Sequence, residues 1–239
     1  MQIILLDTET TDKDEKARLV QLAYKNIDSG EEINEYFKPP APISYGAMAT
    51  HHITNEMVAD KPIFDQSEPQ ANLIKILFEN ILVAHNAPFD IMILKNEGVE
   101  TGKYIDTLRL SRHLIESEQY GLQYLRYFLN LNVAGPAHDA RGDVIVMEAL
   151  FNYLKDAVKN KFAFNSDDEI IEKMLELTQT PILLTDFNFG KYKGKTFAEV
   201  KAIDRGYLEW LYRSESQKSE FEQNDELIYT LKYYLELEG

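Results

Sequence analysis

The apolar pattern begins with short runs that indicate β-strands. Residues 2 to 6 form an apolar-rich run that ends in acidic residues, which is typical of a buried strand. β-branched and aromatic residues with partial alternation predict two further strands at residues 18 to 24 and 33 to 37. Three prolines within residues 39 to 42 then break the pattern. The chain is therefore predicted to open with a meander of three strands.

After the prolines, helical spacing of apolar residues alternates with short strand-like runs. The predicted strands are residues 81 to 84 and 104 to 105. The predicted helices are residues 69 to 78, 89 to 96, a segment that follows Asp106, 122 to 129 and 144 to 158. Strands that come first and then alternate with helices predict an α/β domain with a mixed sheet.

The composition changes near residues 159 to 168, which marks a predicted boundary. A capping-box pattern at Ser166 and Glu169 opens a further helix that runs through Leu177. Beyond it the chain contains the segment FGKYKGK, a second capping-box pattern and the single tryptophan. We predict an α/β domain at residues 1 to 160, a helical linker at 161 to 182 and a small α+β module at 183 to 239.

Composition narrows the chemistry that the chain can carry. It has no cysteine, so disulfides and thiolate metal sites are excluded and any metal needs oxygen or imidazole ligands. The first residues lack the features of a signal peptide and no apolar run reaches the length of a membrane span, so we expect a soluble cytoplasmic protein. The formal net charge of -15 argues against broad non-specific binding to nucleic acid, but bound metal ions can supply positive charge at a strand end.

Five chemically capable residues stand where predicted elements meet. Asp7 and Glu9 lie two apart at the end of the first strand, so they share a face and are favourable together only around a cation such as Mg²⁺ or Mn²⁺. Asp90 follows a buried strand in HNAPFD, and His138 and Asp143 stand in HDARGD before the long helix. Each position alone also fits an ordinary surface acid, helix-start acid or helix cap. Together they place acids and a histidine at the junctions where α/β folds gather their sites.

The segments DTETT, HNAPFD and HDARGD resemble, in order and separation, the three motifs of the DEDDh family of 3′-5′ exonucleases. HHIT (residues 51 to 54) and IDTLRLSR (residues 105 to 112) resemble two further segments of that family. The resemblance covers about residues 1 to 155 and implies a ribonuclease H-like mixed β-sheet flanked by helices. Asp12 stands where the family commonly has Gly, which predicts a small change in loop shape.

The resemblance implies hydrolysis of phosphodiester bonds from the 3′ end of DNA, at single-stranded or frayed ends, with release of nucleoside 5′-monophosphates. It implies two Mg²⁺ or Mn²⁺ ions: Asp7, Glu9 and Asp143 hold the first, and Asp7 and Asp90 hold the second. His138 is the implied general base, because an imidazole titrates near neutrality.

Five other residues near these motifs are candidates for contact with the terminal nucleotide, namely Thr10, Thr11, His51, Asn86 and Phe89. Phe89 fits the hydrophobic core better than a base, and His51 fits a helix-end or solvent-facing position equally well.

The last module resembles the small C-terminal domain of exonuclease X-like proteins. Gly190 and Gly194 predict a tight hairpin-like turn, and Lys191, Lys193 and Lys195 would share one face if they lay on a strand. Lysines interleaved with aromatic residues are typical of surfaces that hold single strands, so these three are candidate strand contacts. The alternative is a small aromatic core with a solvated lysine face. Trp210 and Leu211 are predicted to lie in that core.

Three alternative functions remain open at this point. A proofreading, epsilon-type polymerase subunit would carry the same catalytic residues but a polymerase-docking segment after them. An RNA-trimming exoribonuclease would differ in substrate sugar, and an inactive nucleic-acid-binding protein would keep the fold without the reaction. The sequence predicts nucleic acid as the partner, DNA rather than RNA, with a place in DNA repair, polymerase or repair proteins as further candidates, and no membrane.

Overall fold

The structure is a computed structural model that describes residues 1–219 and 223–237. The chain forms two compact units, Met1–Thr178 and Gln179–Gly239. No helix among the described residues is long and apolar enough to cross a membrane.

The first unit contains a five-stranded sheet in the order β3-β2-β1-β4-β5. Its strands are β1 (Ile3–Thr10), β2 (Leu19–Asn26), β3 (Glu32–Tyr36), β4 (Ile81–Ala84) and β5 (Tyr104–Asp106). The first three strands are antiparallel, and β4 and β5 extend the sheet in parallel with β1. The parallel pairing brings the carboxyl ends of β1, β4 and β5 to one edge, which is where such sheets carry their sites.

Seven helices accompany the sheet in the part of this unit that the structure describes. They are α1 (Tyr45–His51), α2 (Glu68–Glu79), α3 (Ala87–Asn96), α4 (Thr107–Leu114), α5 (Leu122–Phe128), α6 (Ala140–Phe162) and α7 (Asp167–Gln179). Strands β1, β2 and β4 are covered on both faces of the sheet, which explains why the first half of β1 is a continuous apolar run, whereas the edge strand β3 is mostly exposed. On one face Leu5 packs into a core with α6, and on the other Ile4 and Leu6 pack into a core with α2 and α3.

The start of the long helix and the extent of the first unit differ most from the sequence prediction, and α1 was not predicted. The long helix begins at Ala140 rather than Val144, because Asp139 caps it by accepting a hydrogen bond from the Gly142 N–H at 3.0 Å. Helix α7 occupies most of the stretch predicted as a linker, and its Ile170 and Met174 are buried in the core that α6 forms with the sheet. The first unit therefore continues to Thr178.

The second unit is built around aromatic and aliphatic side chains of its own, including Phe187, Phe197 and Leu231. Its helices are α8 (Phe197–Ser216) and α9 (Asp225–Leu235). The sequence predicted an α+β module. The unit is mainly helical, and the β structure among its described residues is one isolated bridge between Asp186 and Thr196.

The hairpin-like turn predicted between Phe187 and Lys195 is present in this unit. Gly190 and Gly194 have positive φ angles of 65° and 83°, and the Phe187 N–H donates to the Lys195 carbonyl at 2.8 Å. The capping box at Thr196 and Glu199 then opens α8. Leu211 is buried as predicted, but Trp210 is 58% exposed, so its assignment to the core was wrong.

Candidate active site

Three carboxylates from β1 and α6 lie close together at the sheet edge formed by the carboxyl ends of the parallel strands. Asp7 and Glu9 point to the α6 face of β1, and Asp143 lies in the first turn of α6. One oxygen from each lies within 4.8 Å of the others. Carboxylate oxygens at this spacing fit a divalent cation, because a shared cation removes the repulsion between like charges.

Asp90 reaches the same place from the other face of the sheet. It is buried in the first turn of α3, and the Thr8 hydroxyl, between Asp7 and Glu9 on β1, donates to its Oδ1 at 2.8 Å. Its charge is the largest cause, after burial, of the raised pKa of Asp7. The structure therefore brings together all four acids that the sequence analysis singled out.

Burial and mutual repulsion shift the titration of these acids in one direction. Burial, and then the neighbouring charges of Asp90, Asp143 and Glu9, raise the pKa of Asp7 well above its ordinary value. Burial and the charge of Asp143 raise the pKa of Glu9 from 4.5 to about 8. A cluster that resists ionisation without a counter-charge is typical of a cation site.

His138 lies on the loop that leads into α6, with an exposed side chain. Its backbone N–H donates to Oδ2 of Asp143 at 3.1 Å, which ties the loop to the carboxylate cluster. The residue adopts a left-handed φ of 57°, an uncommon conformation for a residue with a Cβ, and such conformations concentrate at functional sites. The histidine is thus adjacent to the cluster and open to solvent.

Gly142 determines how closely this loop approaches α6. A Cβ on Gly142 would collide with the carbonyl oxygen of Pro136, and a Cβ on Gly135 would lie 2.6 Å from the Gly142 carbonyl oxygen. The backbone of Gly142 in α6 therefore packs directly against the backbone of Gly135 and Pro136, which lie just before His138.

Gln21 is a site residue that the sequence analysis missed. It is fully buried on β2, and its amide donates to Oδ2 of Asp139 at 3.1 Å and to Oδ1 of Asn34 at 2.8 Å. Because Asp139 caps α6, Gln21 connects the sheet to the helix that carries Asp143. An amide inside the otherwise apolar run LVQLAY was the signal that could have found it.

A second missed group holds the HNAPFD segment. The Asp106 carboxylate accepts from the Asn86 N–H at 2.9 Å and also caps α4. His85 lies within hydrogen-bond distance of the Thr107 hydroxyl and the Tyr120 carbonyl, 2.9 Å from each, and burial lowers its pKa to about 4. These contacts fix the start of α3, from which Asp90 projects.

The residues predicted to contact the terminal nucleotide lie around the end of β1 and the start of α3. The Thr10 hydroxyl donates to the Asp12 carbonyl at 2.6 Å, and the Thr11 hydroxyl accepts from the Arg18 N–H at 3.0 Å. Asn86 is exposed and precedes α3 with a φ of 71°. Phe89 is partly buried against the core beneath α3, in agreement with the core assignment.

His51 is buried at the end of α1 rather than facing solvent. Its Nδ1 accepts from the Ile53 N–H at 3.0 Å, so the neutral ring carries its proton on Nε2 and donates to the Thr10 carbonyl at 3.1 Å. Burial lowers the pKa of His51, which favours this neutral form. The ring therefore connects the residues that follow α1, through Nδ1, to the end of β1, through Nε2.

The three candidate lysines do not lie on a strand, so the condition under which they would share one strand face is not met. Lys191 and Lys193 lie in the turn itself, because the glycines curl the chain there, and Lys195 follows it. All three are exposed, and Lys191 forms an ion pair with Asp204 at 2.9 Å.

Comparison with known proteins matches residues 4–151 to the exonuclease family and residues 187–216 to the exodeoxyribonuclease X-like C-terminal family. The chain belongs to the exonuclease family. The four carboxylates and His138 all fall inside the matched exonuclease domain.

Curated relatives and solved structures agree with this assignment. The chain is 34% identical to exodeoxyribonuclease 10 of Escherichia coli K12, over 97% of this chain and 98% of that one. It is 29% identical to the DNA polymerase III epsilon subunit of Rickettsia prowazekii, over 70% of this chain and 80% of that one. Exonuclease X solved with 5′-overhanging duplex DNA matches with a TM-score of 0.56 and 28% identity, covering 74% of this chain and 99% of that chain.

Proposed function

We propose that this protein is a 3′-5′ exodeoxyribonuclease that releases nucleoside 5′-monophosphates from single-stranded or frayed DNA ends. The observation that carries the proposal is the convergence of Asp7, Glu9 and Asp143 within 4.8 Å, with the buried Asp90 beside them. DNA as the substrate is supported by the 34% identity to an exodeoxyribonuclease along almost the whole chain.

The carboxylates have distinct roles in this proposal. Asp7, Glu9 and Asp143 would hold one Mg²⁺ or Mn²⁺ ion, and Asp7 and Asp90 would hold a second. Such ions, when bound, supply Lewis-acid stabilisation of the attacked phosphate and of the leaving 3′ oxygen. Thr8 keeps Asp90 oriented, and Gln21 keeps the first turn of α6 against the sheet.

His138 would take the proton from the attacking water. Its exposed side chain is accessible to a strand end, and its backbone bond to Asp143 keeps the loop beside the carboxylates. A general base placed in this way contributes about 10²- to 10⁴-fold to the rate.

The terminal nucleotide would be held by the edge that surrounds the cluster. Asn86 offers an exposed amide there and Phe89 part of its ring, whereas the buried Thr10 and Thr11 would act by shaping the chain after β1 through the hydrogen bonds of their hydroxyls. We assign His51 an indirect share in this binding, because its ring holds the Thr10 carbonyl. Lys191, Lys193 and Lys195 are proposed as additional contacts to the DNA strand.

A polymerase-associated proofreading role is less well supported. The match to the epsilon subunit of Rickettsia prowazekii covers 70% of this chain, whereas the match to exodeoxyribonuclease 10 covers 97%. The second unit also matches the C-terminal family of exodeoxyribonuclease X-like proteins. We therefore propose an independent nuclease with an exonuclease unit and a small accessory unit.

A labelled-oligonucleotide digestion tests the proposed function. A 5′-labelled single-stranded DNA should shorten one nucleotide at a time in Mg²⁺ or Mn²⁺, and remain intact in chelator or with a blocked 3′ end. Faster digestion of the matching RNA would instead favour an RNA-trimming enzyme. An intact DNA under all metal conditions would contradict the proposal.

A further inference from the structure

Tyr207 and Trp210 lie side by side on α8 of the second unit. The backbone of Asp204 is non-helical, with φ -155° and ψ 67°, and its Oδ1 accepts from the Tyr207 N–H at 3.1 Å, so it caps the second half of α8. Residues three apart on a helix are neighbours on its surface. The Tyr207 and Trp210 rings are 5.6 Å apart with an interplanar angle of 35°.

The glycine-rich turn places a lysine over the same tyrosine. The Lys191 ammonium lies 5.1 Å from the centre of the Tyr207 ring and 4.7 Å from that of Tyr192. Its ion pair with Asp204, at 2.9 Å, joins the turn to the helix cap. Gly190 permits the close approach, because a Cβ there would lie 2.9 Å from the Tyr207 hydroxyl oxygen.

Two further cationic residues lie close in sequence to the residues that form this group. Arg213 follows Trp210 by three residues on α8, and Lys193 lies in the turn with Lys191. Both side chains are exposed, and neither forms an ion pair with any residue in 1–219 or 223–237. In a chain of net charge -15, cations without an ion-pair partner among the described residues, close in sequence to the exposed Trp210 and the partly buried Tyr207, stand out as a place for an anionic partner.

Trp210 is not part of the hydrophobic core of the second unit. It is 58% exposed, while the core of the unit is filled by residues such as Phe187, Phe197 and Leu208. A single exposed aromatic residue is ordinary. A tryptophan beside a tyrosine that itself carries a lysine is the combination that holds single-stranded nucleic acid, with bases on the rings and phosphates on the cations.

We propose that Tyr207, Trp210, Lys191, Lys193 and Arg213 form a base-stacking surface for single-stranded DNA, hereafter the Trp210 surface. The inference rests on the proposed function, since it supplies a second hold on the strand that the exonuclease unit digests. Single-stranded DNA fits better than an apolar protein partner, because the rings are bordered by cations that phosphates can neutralise.

The chain carries its own reporter for this surface, because Trp210 is its only tryptophan. The full chain in chelator, which prevents digestion, is titrated with oligothymidylate while tryptophan fluorescence is recorded. A stacked base should quench the emission. An oligomer of the same length with abasic sugars keeps the phosphates and lacks the bases, and should quench far less.

Variants of the full chain measure what the ring contributes. Trp210→Ala should weaken binding of labelled oligothymidylate about 5- to 100-fold in chelator, which is the range expected for loss of one stacked base. Trp210→Phe should recover part of that loss. Tyr233→Ala is the matched control, since Tyr233 is 60% exposed in the same unit, and it should bind like the parent.

The outcomes separate this inference from the proposed function. Digestion in Mg²⁺ without quenching, or equal quenching by the abasic oligomer, would overturn the stacking surface and leave the nuclease assignment intact. Quenching without digestion would support the Trp210 surface and overturn the proposed catalysis. Equal binding by Trp210→Ala and the parent would also overturn the stacking surface and point to a protein partner for the exposed rings.

Discussion

The two units of this protein place their chemically important residues in opposite environments. In the first, four carboxylates lie wholly or partly buried within one cluster, where burial and like charge raise the pKa of each. In the second, Trp210 is 58% exposed beside the partly buried Tyr207, and the side chains of Lys191, Lys193 and Arg213 are exposed. The comparison shows that closely spaced carboxylates need supporting hydrogen bonds from the fold, such as those made by Thr8 and Gln21. The exposed Trp210, in contrast, takes no part in the core of its unit.

The largest effect should come from the buried cluster. Asp7→Asn removes the carboxylate whose pKa is raised by the charges of Asp90, Asp143 and Glu9, the other three acids of the cluster. Metal-dependent turnover should therefore fall to background in the oligonucleotide assay. Asp156→Asn makes the same change in charge on the exposed side of α6 and should leave turnover unchanged. Substantial turnover in Asp7→Asn would mean that the cluster is not the catalytic centre.

The next effect concerns the exposed histidine beside the cluster. His138→Ala should lower kcat about 10²- to 10⁴-fold and leave Mn²⁺ binding intact, because a general base acts on the proton and not on the metal. His52→Ala is the control, since His52 is also exposed and also has a positive φ, 62° against 57°. Parent-like kcat in His138→Ala would exclude the general-base role.

A smaller effect is expected where the fold supports the cluster. Gln21→Leu keeps the size of the side chain but removes its hydrogen bond to Asp139, and kcat should fall about tenfold, equal to about 1.4 kcal/mol. Asn34→Ala spares the bond to Asp139 and should keep most of the activity. If Gln21→Leu lowered only the unfolding temperature and not kcat, the residue would serve stability alone.

The cost of the buried charge should be visible as a dependence of stability on pH. Burial and Asp143 raise the pKa of folded Glu9 to about 8 from 4.5, so the folded state holds a proton that the unfolded state has released. Metal-free stability should therefore fall as pH rises between these values. At about pH 9 in chelator, Glu9→Gln should raise Tm by about 4–8 °C, for a gain on the order of 2 kcal/mol.

The same measurement contains its own control. The advantage of Glu9→Gln should shrink toward about pH 5, where parent Glu9 is protonated in the folded state. Added Mg²⁺ should stabilise the parent and not the variant. A pH-independent difference in Tm would show that packing, and not charge, separates the two proteins.

The smallest effect on the chemistry should come from removing the second unit. A chain that ends at Thr178 keeps the whole first unit and should cleave short oligonucleotides at a rate close to that of the parent. Its binding to long single strands should be weaker and less sensitive to salt, because exposed lysines are lost. A chain that ends at residue 160 should fold poorly, since it lacks the buried Ile170 and Met174 of α7.

Much of the exonuclease unit followed from local pattern. Residues 81 to 84 were predicted as a strand and form β4, because a short apolar run between polar flanks has few other uses. Asp7, Glu9, Asp90 and Asp143 were predicted to converge because they stand where elements meet and because their segments resemble the three exonuclease motifs. Neither inference required a long-range contact to be known in advance.

The misses have three causes, namely a long-range contact, a core that other residues fill and a local turn. The amide in the apolar run of β2 marked Gln21 as unusual, but its partner Asp139 is 118 positions away, so the sequence did not show which residue it binds. Trp210 was placed in the core by its apolar character, although the core of the second unit is already filled by other rings. The lysines would have shared one face on a strand, but the positive φ angles of Gly190 and Gly194 form a turn at these residues.

The contact between Gly142 and Pro136 limits how this protein can change over time. Because main-chain atoms touch there, replacement of Gly142 by any larger residue would lift the segment that leads to His138 while every catalytic side chain remained encoded. A single added methyl group at this backbone contact could therefore abolish activity without changing Asp143 or His138 themselves. Restoring it would need a compensating shift of the 135–138 segment, so neutral drift at this glycine should be rare.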